Sequence, residues 1–224
     1  MTQIGLHNED ITGSIARMKR GRTYEDLSTI WLTVTRGMVP SAVLPSWFSL
    51  QRPMNQQVAN LFVENQEVGD AYNSAIEQIV RDKTLSRFKY ILTLEEDNMP
   101  PPDGLVKLYE SIQNFDAVGG LYWTKGEGGM PMIYGAPDEW PINYRPQMPK
   151  VGEIQPCNGL GMGFTLFRMS MFKDKSIQRP LFRTAPSSTQ DLYFFRNAAK
   201  RGYRFASDNR VLVGHHDSNT GVTW

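Results

Sequence analysis

The stretch "YILTLEEDNMPPPDGL", residues 90–105, decides how this chain is read. "YILTL" has the β-branched and aromatic content of a buried strand, and it stops on Glu95, Glu96 and Asp97. Three adjacent like charges repel, so such a strand end either meets plain solvent or faces something positive. Proline cannot donate to a sheet, so Pro100, Pro101 and Pro102 end the strand there. Asp103 then stands where a helix cap belongs, ahead of Leu105, Leu108, Tyr109 and Ile112 at helical spacing.

Outward from this point, strands and helices alternate. "IWLTVT" (residues 30–35) and "QVANLFVEN" (57–65) read as strands, the first stopping at Arg36-Gly37. Between them a short helix is weakened by Pro45. Val68, Ala71, Tyr72, Ala75, Ile76 and Ile79 form the apolar stripe of an amphipathic helix. "DAVGGLYW" is a further strand, whose Gly119-Gly120 signals close approach of backbone or ligand. Residues 124–156 are rich in Gly and Pro and without period, as expected of a long surface excursion carrying short strands. "GMGFTLFRMSMF" gives a strand and a short helix. "SSTQDLYFFRNAAKRG" gives a Ser/Thr-capped helix stopped by Gly202, and "YRFASDNRVLVGHHD" a last pair of strands. The order predicts an α/β fold with a mainly parallel central sheet flanked by helices.

Composition excludes several classes. The 224 residues can bury one substantial core, expected over residues 29–224, with residues 1–28 as a loosely ordered extension. A net charge of +1 gives no electrostatic reason to expect nucleic acid as a partner. No window approaches the ~20 apolar residues of a membrane span, and the N-terminus lacks a signal-peptide apolar region. The single Cys157 forms no internal disulfide, reads as a small buried hydrophobe, and fits a cytoplasmic location.

Three places carry candidate chemistry. In an open α/β sheet ligands bind beyond the carboxyl ends of the strands, where Glu95, Glu96 and Asp97 fall. Carboxylates one residue apart there can direct oxygens to a hard divalent ion such as Mg²⁺ or Mn²⁺, although a polar strand end explains them as well. "VLVGHHD" ends a strand on His215 and His216, whose imidazoles would complete an Mn²⁺ set or serve as structural hydrogen-bonding groups. Asp191 lies in the first turn of a helix, where the macrodipole favours a carboxylate and where a general base could also point into a cleft. "GLGMGF" invites a dinucleotide-binding reading, but "FTLF" continues it as strand where that motif needs a helix.

In this order the motifs resemble a glycosyltransferase of the GT-A fold, similar to family 2, over roughly residues 30–216. "YILTLEEDNMPPPDGLVKL" is similar to that family's strand, DxD-type motif and Pro-led helix. "AVGGLYW", "NGLGMGFTLFRMSMF" and "TQDLYFFRNAAKRGYRFASDNRVLVGHH" follow as its later segments do. The resemblance implies transfer of a sugar from a nucleotide diphosphate sugar to an acceptor hydroxyl, with Mn²⁺ or Mg²⁺ on the diphosphate. It implies Glu95, Asp97 and His215 as metal ligands, with His216 in place of His215 if the register differs by one. It implies Asp191 as catalytic base and Thr35, Arg36, Asp70, Asn73, Glu95, Glu96 and Gly120 as donor-binding positions. The motif opens with Glu where Asp is usual, and Gln190 precedes Asp191 where an acid is common. The segment around "WTKGEGGMPMIYG" is then expected to act as a lid excluding water. A nucleotidyltransferase of related fold would also place acids beyond a parallel sheet, but would want a basic, Gly-rich loop where "TRGMVPS" offers one arginine. A hydrolase built on "HHD" and a non-catalytic sugar- or nucleotide-binding module complete the alternatives.

Overall fold

The computed structural model describes residues 2–7, 12–22, 24–185 and 188–224. The strands are β1 (Thr2–His7), β2 (Thr29–Thr35), β3 (Val58–Glu64), β4 (Tyr90–Leu94), β5 (Asn98–Met99), β6 (Ala117–Leu121), β7 (Ile133–Tyr134), β8 (Ile154–Cys157), β9 (Gly159–Leu160), β10 (Phe164–Arg168), β11 (Phe205–Leu212) and β12 (Gly214–His215). The helices are α1 (Thr12–Arg20), α2 (Leu44–Ser49), α3 (Val68–Arg81), α4 (Gly104–Ser111), α5 (Met169–Lys173) and α6 (Gln190–Ala199). Among the described residues, eight strands form one sheet in the order β1-β3-β2-β4-β10-β6-β11-β8. Strands β2, β3, β4, β6 and β11 point one way, while β1, β8 and β10 oppose them. The α/β reading therefore holds, with β10 reversed in the middle of the sheet. The described part of the N-terminal segment adds an edge strand, β1, antiparallel to β3.

Alternation along the strands explains the layers. Ile30, Leu32, Ile91 and Phe167 face one core, with Tyr72, Ala75, Ile76 and Ile79 of α3 and Phe194, Phe195 and Ala198 of α6. Trp31, Tyr90, Leu92, Leu94, Phe164 and Leu166 face the other, with Leu105, Leu108 and Tyr109 of α4. The central strands β2, β4 and β10 are thus apolar on both faces, as a sheet covered on both sides requires. The first core is aromatic: Phe182 and Phe194 stack with centroids 4.9 Å apart, and Phe195 meets Phe205 edge-on at 4.8 Å. Cys157 is buried there, and burial pushes its thiol pKa up, so it is an inert filler.

Local details correct three expectations. Pro45 does not weaken α2, because it sits in the first turn, where the missing N–H has no partner to lose. Asp103 occupies the cap position of α4 but makes no cap bond; its carboxylate pairs with Lys107 one turn on, at 2.7 Å. Thr189 precedes α6 without capping it, its hydroxyl going to Asp191. The excursion over 124–156 is tied down by short pairings: β7 with β9, β8 with β11, and bridges Trp123–Pro131 and Tyr134–Pro146. No helix among the described residues is long and apolar enough to cross a membrane.

This topology gathers one edge. The carboxyl ends of β2, β4, β6 and β11 lie together, and the antiparallel β10 begins where β4 ends, with Phe164 opposite Leu94. Past β11, the short β12 returns to pair with β5, setting His215 opposite Asn98 beside the acidic turn.

Candidate active site

The three adjacent carboxylates escape mutual repulsion by diverging. Glu96 turns back toward β2, where it accepts from the Thr35 hydroxyl (2.5 Å), the Arg36 backbone N–H (2.8 Å) and Arg36 Nε (2.6 Å). Asp97 Oδ2 takes the Lys125 ammonium at 2.5 Å, and His215 Nε2 lies 3.6 Å from the same oxygen. Among the described residues, the Glu95 carboxylate receives only the Tyr72 phenol, at 3.1 Å.

Electrostatics follow from these partners. Burial raises the pKa of Glu95 to about 7, helped by the negative charges of Asp97 and Asp191. Burial acts the same way on Asp97, but His215 and Lys125 outweigh it and hold that carboxyl well below the usual range. Burial also raises Asp191, opposed by bonds to its Oδ1 from the Thr189 hydroxyl and the Leu192 backbone N–H. Asp191 is 4% exposed, and its charge reaches Glu95, Tyr72, Tyr122 and Tyr134. Glu95 and Asp97, which line one cavity, are thus shifted in proton affinity in opposite directions, while Asp191 lies buried outside that lining and acts on Glu95 through its charge.

The supporting packing comes from residues that need not touch a ligand. The acidic turn is braced by α2: Trp47 Nε1 donates to Asn98 O (2.8 Å) and Ser46 Oγ to Pro100 O (2.6 Å). The Gly-rich "GLGMGF" supports it from the other side. A Cβ on Gly161 would stand 2.1 Å from the Tyr122 hydroxyl, and one on Gly163 2.4 Å from Asn98 Oδ1. Tyr122 packs edge-on against His215 with centroids 5.5 Å apart, and Asn98 Nδ2 donates to Asp97 Oδ1 at 3.0 Å. The two glycines thus let Tyr122 and Asn98 reach the site, a role quite unlike dinucleotide binding.

A divalent cation fits the donors on Asp97 and His215. His215 Nδ1 lies 2.7 Å from Trp123 O, which can only accept, so Nδ1 carries a proton and Nε2 is the ring nitrogen left facing Asp97. Nε2 stands 3.6 Å from Asp97 Oδ2, and with Nε2 unprotonated an imidazole nitrogen and a carboxylate oxygen so placed could share one cation. A hard or borderline ion such as Mg²⁺ or Mn²⁺ suits a carboxylate and an imidazole. Among the described residues no three His, Cys, Asp or Glu side chains cluster tightly enough to hold a metal by themselves. His216 turns away, its Nδ1 3.2 Å from Thr223 Oγ1, so the strand register presents His215 to Asp97.

Two adjoining cavities open over this edge. One, of about 320 Å³, is lined by Thr35, Arg36, Gln66, Glu95, Asp97 and Gln190 among others. The other, of about 530 Å³, has Met38, Val39 and Pro40 on one side and Asp217, Ser218 and Asn219 on another. Arg36, Glu96 and Lys125 belong to both. The structure does not bring Asp70, Asn73 or Gly120 into this cleft. Asp70 is exposed on α3, and the Asn73 amide is taken up by the Phe182 backbone at 2.7 and 3.0 Å. Gly120 is covered by Val213, 2.6 Å from where its Cβ would stand, so its close approach is packing within the sheet. Sequence reasoning missed Lys125, Tyr72 and Tyr122 as neighbours of the acidic turn. The positive charge in an otherwise Gly-rich segment was the available signal for Lys125.

No protein-family model and no curated protein matches this sequence. Among solved structures, A197 from STIV superposes with a TM-score of 0.62 at 19% identity, covering 85% of this chain and 86% of that one. GalNAc-T7, crystallised with UDP, GalNAc and Mn²⁺, gives a TM-score of 0.57 at 10% identity over 86% of this chain. This chain matches 44% of the GalNAc-T7 chain. The likeness at such low identity is one of fold: the chain has a GT-A-like fold.

Proposed function

We propose that this protein is a glycosyltransferase that moves a sugar from a nucleoside diphosphate sugar to an acceptor hydroxyl, with a divalent metal on the diphosphate. The observation that carries this reading is the approach of His215 Nε2 to 3.6 Å from Asp97 Oδ2 at the carboxyl ends of the strands, where the neighbouring Glu95 also feels the charge of the buried Asp191. Asp97 and His215 would hold the metal, with Glu95 joining them if its carboxyl leaves the Tyr72 phenol, and Mn²⁺ or Mg²⁺ are the ions suited to those donors. Bound there, the metal would stabilise negative charge growing on the diphosphate leaving group.

The chain's own residues supply the rest. Thr35 and Arg36, locked by Glu96, line the cleft where a nucleotide would rest. Asp191 is the base: it takes the proton of the acceptor hydroxyl while the hydroxyl oxygen bonds to the anomeric carbon. The carbon–oxygen bond to the diphosphate breaks, and its electron pair leaves with the phosphate. Burial raises the basicity of Asp191, which helps a group that must accept a proton, and such a base contributes typically ~10²- to 10⁴-fold.

A panel of nucleotide sugars, incubated with Mn²⁺ or Mg²⁺, tests the reading through released nucleoside diphosphate and through thermal stabilisation. The expected result is metal-dependent stabilisation by one nucleoside diphosphate and turnover of its sugar conjugate. If no nucleoside diphosphate stabilises the protein in the presence of metal, the transferase reading is wrong. Stabilisation without turnover of any sugar conjugate points to a binding module.

A further inference from the structure

Lys125 is the group around the acidic turn that the proposed reaction leaves unexplained. Its ammonium contacts Asp97 Oδ2, the oxygen that His215 Nε2 also approaches, and both side chains of the ion pair are mostly shielded, at 29% and 15% exposure. A divalent ion held ~2.1 Å from that oxygen would lie less than about 5 Å from an ammonium still bonded to it. Two cations that close in a shielded site repel strongly, so both cannot keep Asp97.

The segment that bears Lys125 is built to let it go while keeping the rest in place. Trp123 O holds His215 Nδ1, Trp123 bridges to Pro131, and Thr124 N donates to Met130 O at 2.9 Å. This base anchors the hairpin. Beyond Lys125 its tip turns through Gly126 and Gly128, at φ +98° and +74°, conformations that glycine adopts without strain. Lys125 also lines both cavities of the cleft, so a lysine released from Asp97 stays over the space a diphosphate would fill.

We infer that Lys125 is an exchangeable counter-cation: it neutralises Asp97 in the empty site, yields Asp97 to the incoming metal, and then pairs with the phosphate oxygens of the bound diphosphate. The inference rests on the reading that this cleft takes a divalent cation and a diphosphate. It assigns to the Gly-rich hairpin a defined action, a charge handed from protein to ligand, and adds a second positive group to the leaving-group site.

The exchange predicts effects of opposite sign. Mn²⁺ binding without nucleotide, followed by electron paramagnetic resonance, should be tighter in Lys125→Gln than in the unaltered protein, by about three- to tenfold, since the metal no longer competes with a partly shielded ion pair. Inorganic pyrophosphate binding in saturating Mn²⁺ should be weaker in the same variant by about tenfold, the usual scale for a lost charge-assisted hydrogen bond. Lys125→Arg, which keeps the charge, should move both affinities back toward the unaltered protein. In that unaltered protein, trypsin should cut the Lys125–Gly126 bond faster when Mn²⁺ is added. Unchanged or weaker Mn²⁺ binding in Lys125→Gln overturns the exchange, because a lysine that only positions Asp97 would help the metal. Unchanged pyrophosphate binding removes the handover to the ligand. If neither protein binds Mn²⁺, the metal-dependent reading of the cleft fails as well, which separates the two failures.

Discussion

Glu95 offers the most direct test of the electrostatics described above. Its carboxyl, ordinarily at 4.5, is raised to about 7 chiefly by burial and then by Asp97 and Asp191. At ~1.36 kcal/mol per pKa unit, ionising Glu95 in the folded protein costs about 3 kcal/mol more than ionising it in the unfolded chain. The sign follows from the direction of the shift. The group's contribution is fully present below pH 4.5 and is lost as pH rises through about 7. Glu95→Gln keeps the shape and removes the charge. Its stability relative to the unaltered protein should therefore be level near pH 4 and climb by about 3 kcal/mol between pH 4.5 and 8. Urea unfolding at half-unit pH steps measures this difference without metal. A difference that stays flat from pH 4 to 8 would show that Glu95 ionises as freely as an exposed carboxylate, and the acidic pocket would have to be redrawn. Saturating Mn²⁺ should shrink the advantage of the variant at pH 8, since a bound cation repays the cost that the carboxylate carries alone.

Other perturbations separate roles within the cleft. Asp191→Asn should lower kcat by ~10²- to 10⁴-fold while donor affinity stays within about twofold, and equal activity would exclude it as the base. Asp97→Ala and His215→Ala should each weaken Mn²⁺-dependent nucleotide binding in calorimetry, whereas His216→Ala should not; the reverse pattern would mean that the other imidazole faces the metal. Gly163→Ala places a methyl 2.4 Å from Asn98 Oδ1. Overpacking of that kind costs about 1–3 kcal/mol, and because Asn98 holds Asp97 the variant should also bind Mn²⁺ more weakly. Unaltered stability and binding would show that Asn98 moves aside freely.

How much of this was legible in the sequence depended on the range of the interaction. Helix α3 announced itself through the stripe from Val68 to Ile79, and strands β2, β4 and β6 through apolar runs, because the 3.6- and 2-residue periods are local properties. The position of Glu95, Glu96 and Asp97 at a strand end was legible for the same reason. Their divergence was not: Glu96 finds Arg36 and Thr35, Asp97 finds Lys125 and Glu95 finds Tyr72, all through contacts remote in the chain. Asp70 and Asn73 lie at a helix start near a strand end, as a binding segment would, while the partner of the Asn73 amide, the Phe182 backbone, is 109 residues away. Gly119-Gly120 correctly signalled a close approach, but Thr165 and Val213, the groups that approach, lie in other strands. The choice between His215 and His216 turned on the register of β12 against β5, a pairing of only two residues that no periodicity could announce.

The reversed strand β10 also bears on how the molecule comes to be built. It fills the slot between β4 and β6, and Thr93 Oγ1 reaches Thr165 O across 72 residues of sequence. While the chain is being made, β4 and β6 emerge with an open gap between them and with unpaired edges on either side of it. Non-local pairing of this kind slows folding and exposes strand edges in the meantime. The acidic turn, whose Glu95 N–H is held by Gly163 O, cannot acquire its final shape until that late strand is threaded in. The shape of the acidic turn therefore depends on β10, and a nascent chain that stops before residue 163 would lack the strand that holds the Glu95 N–H.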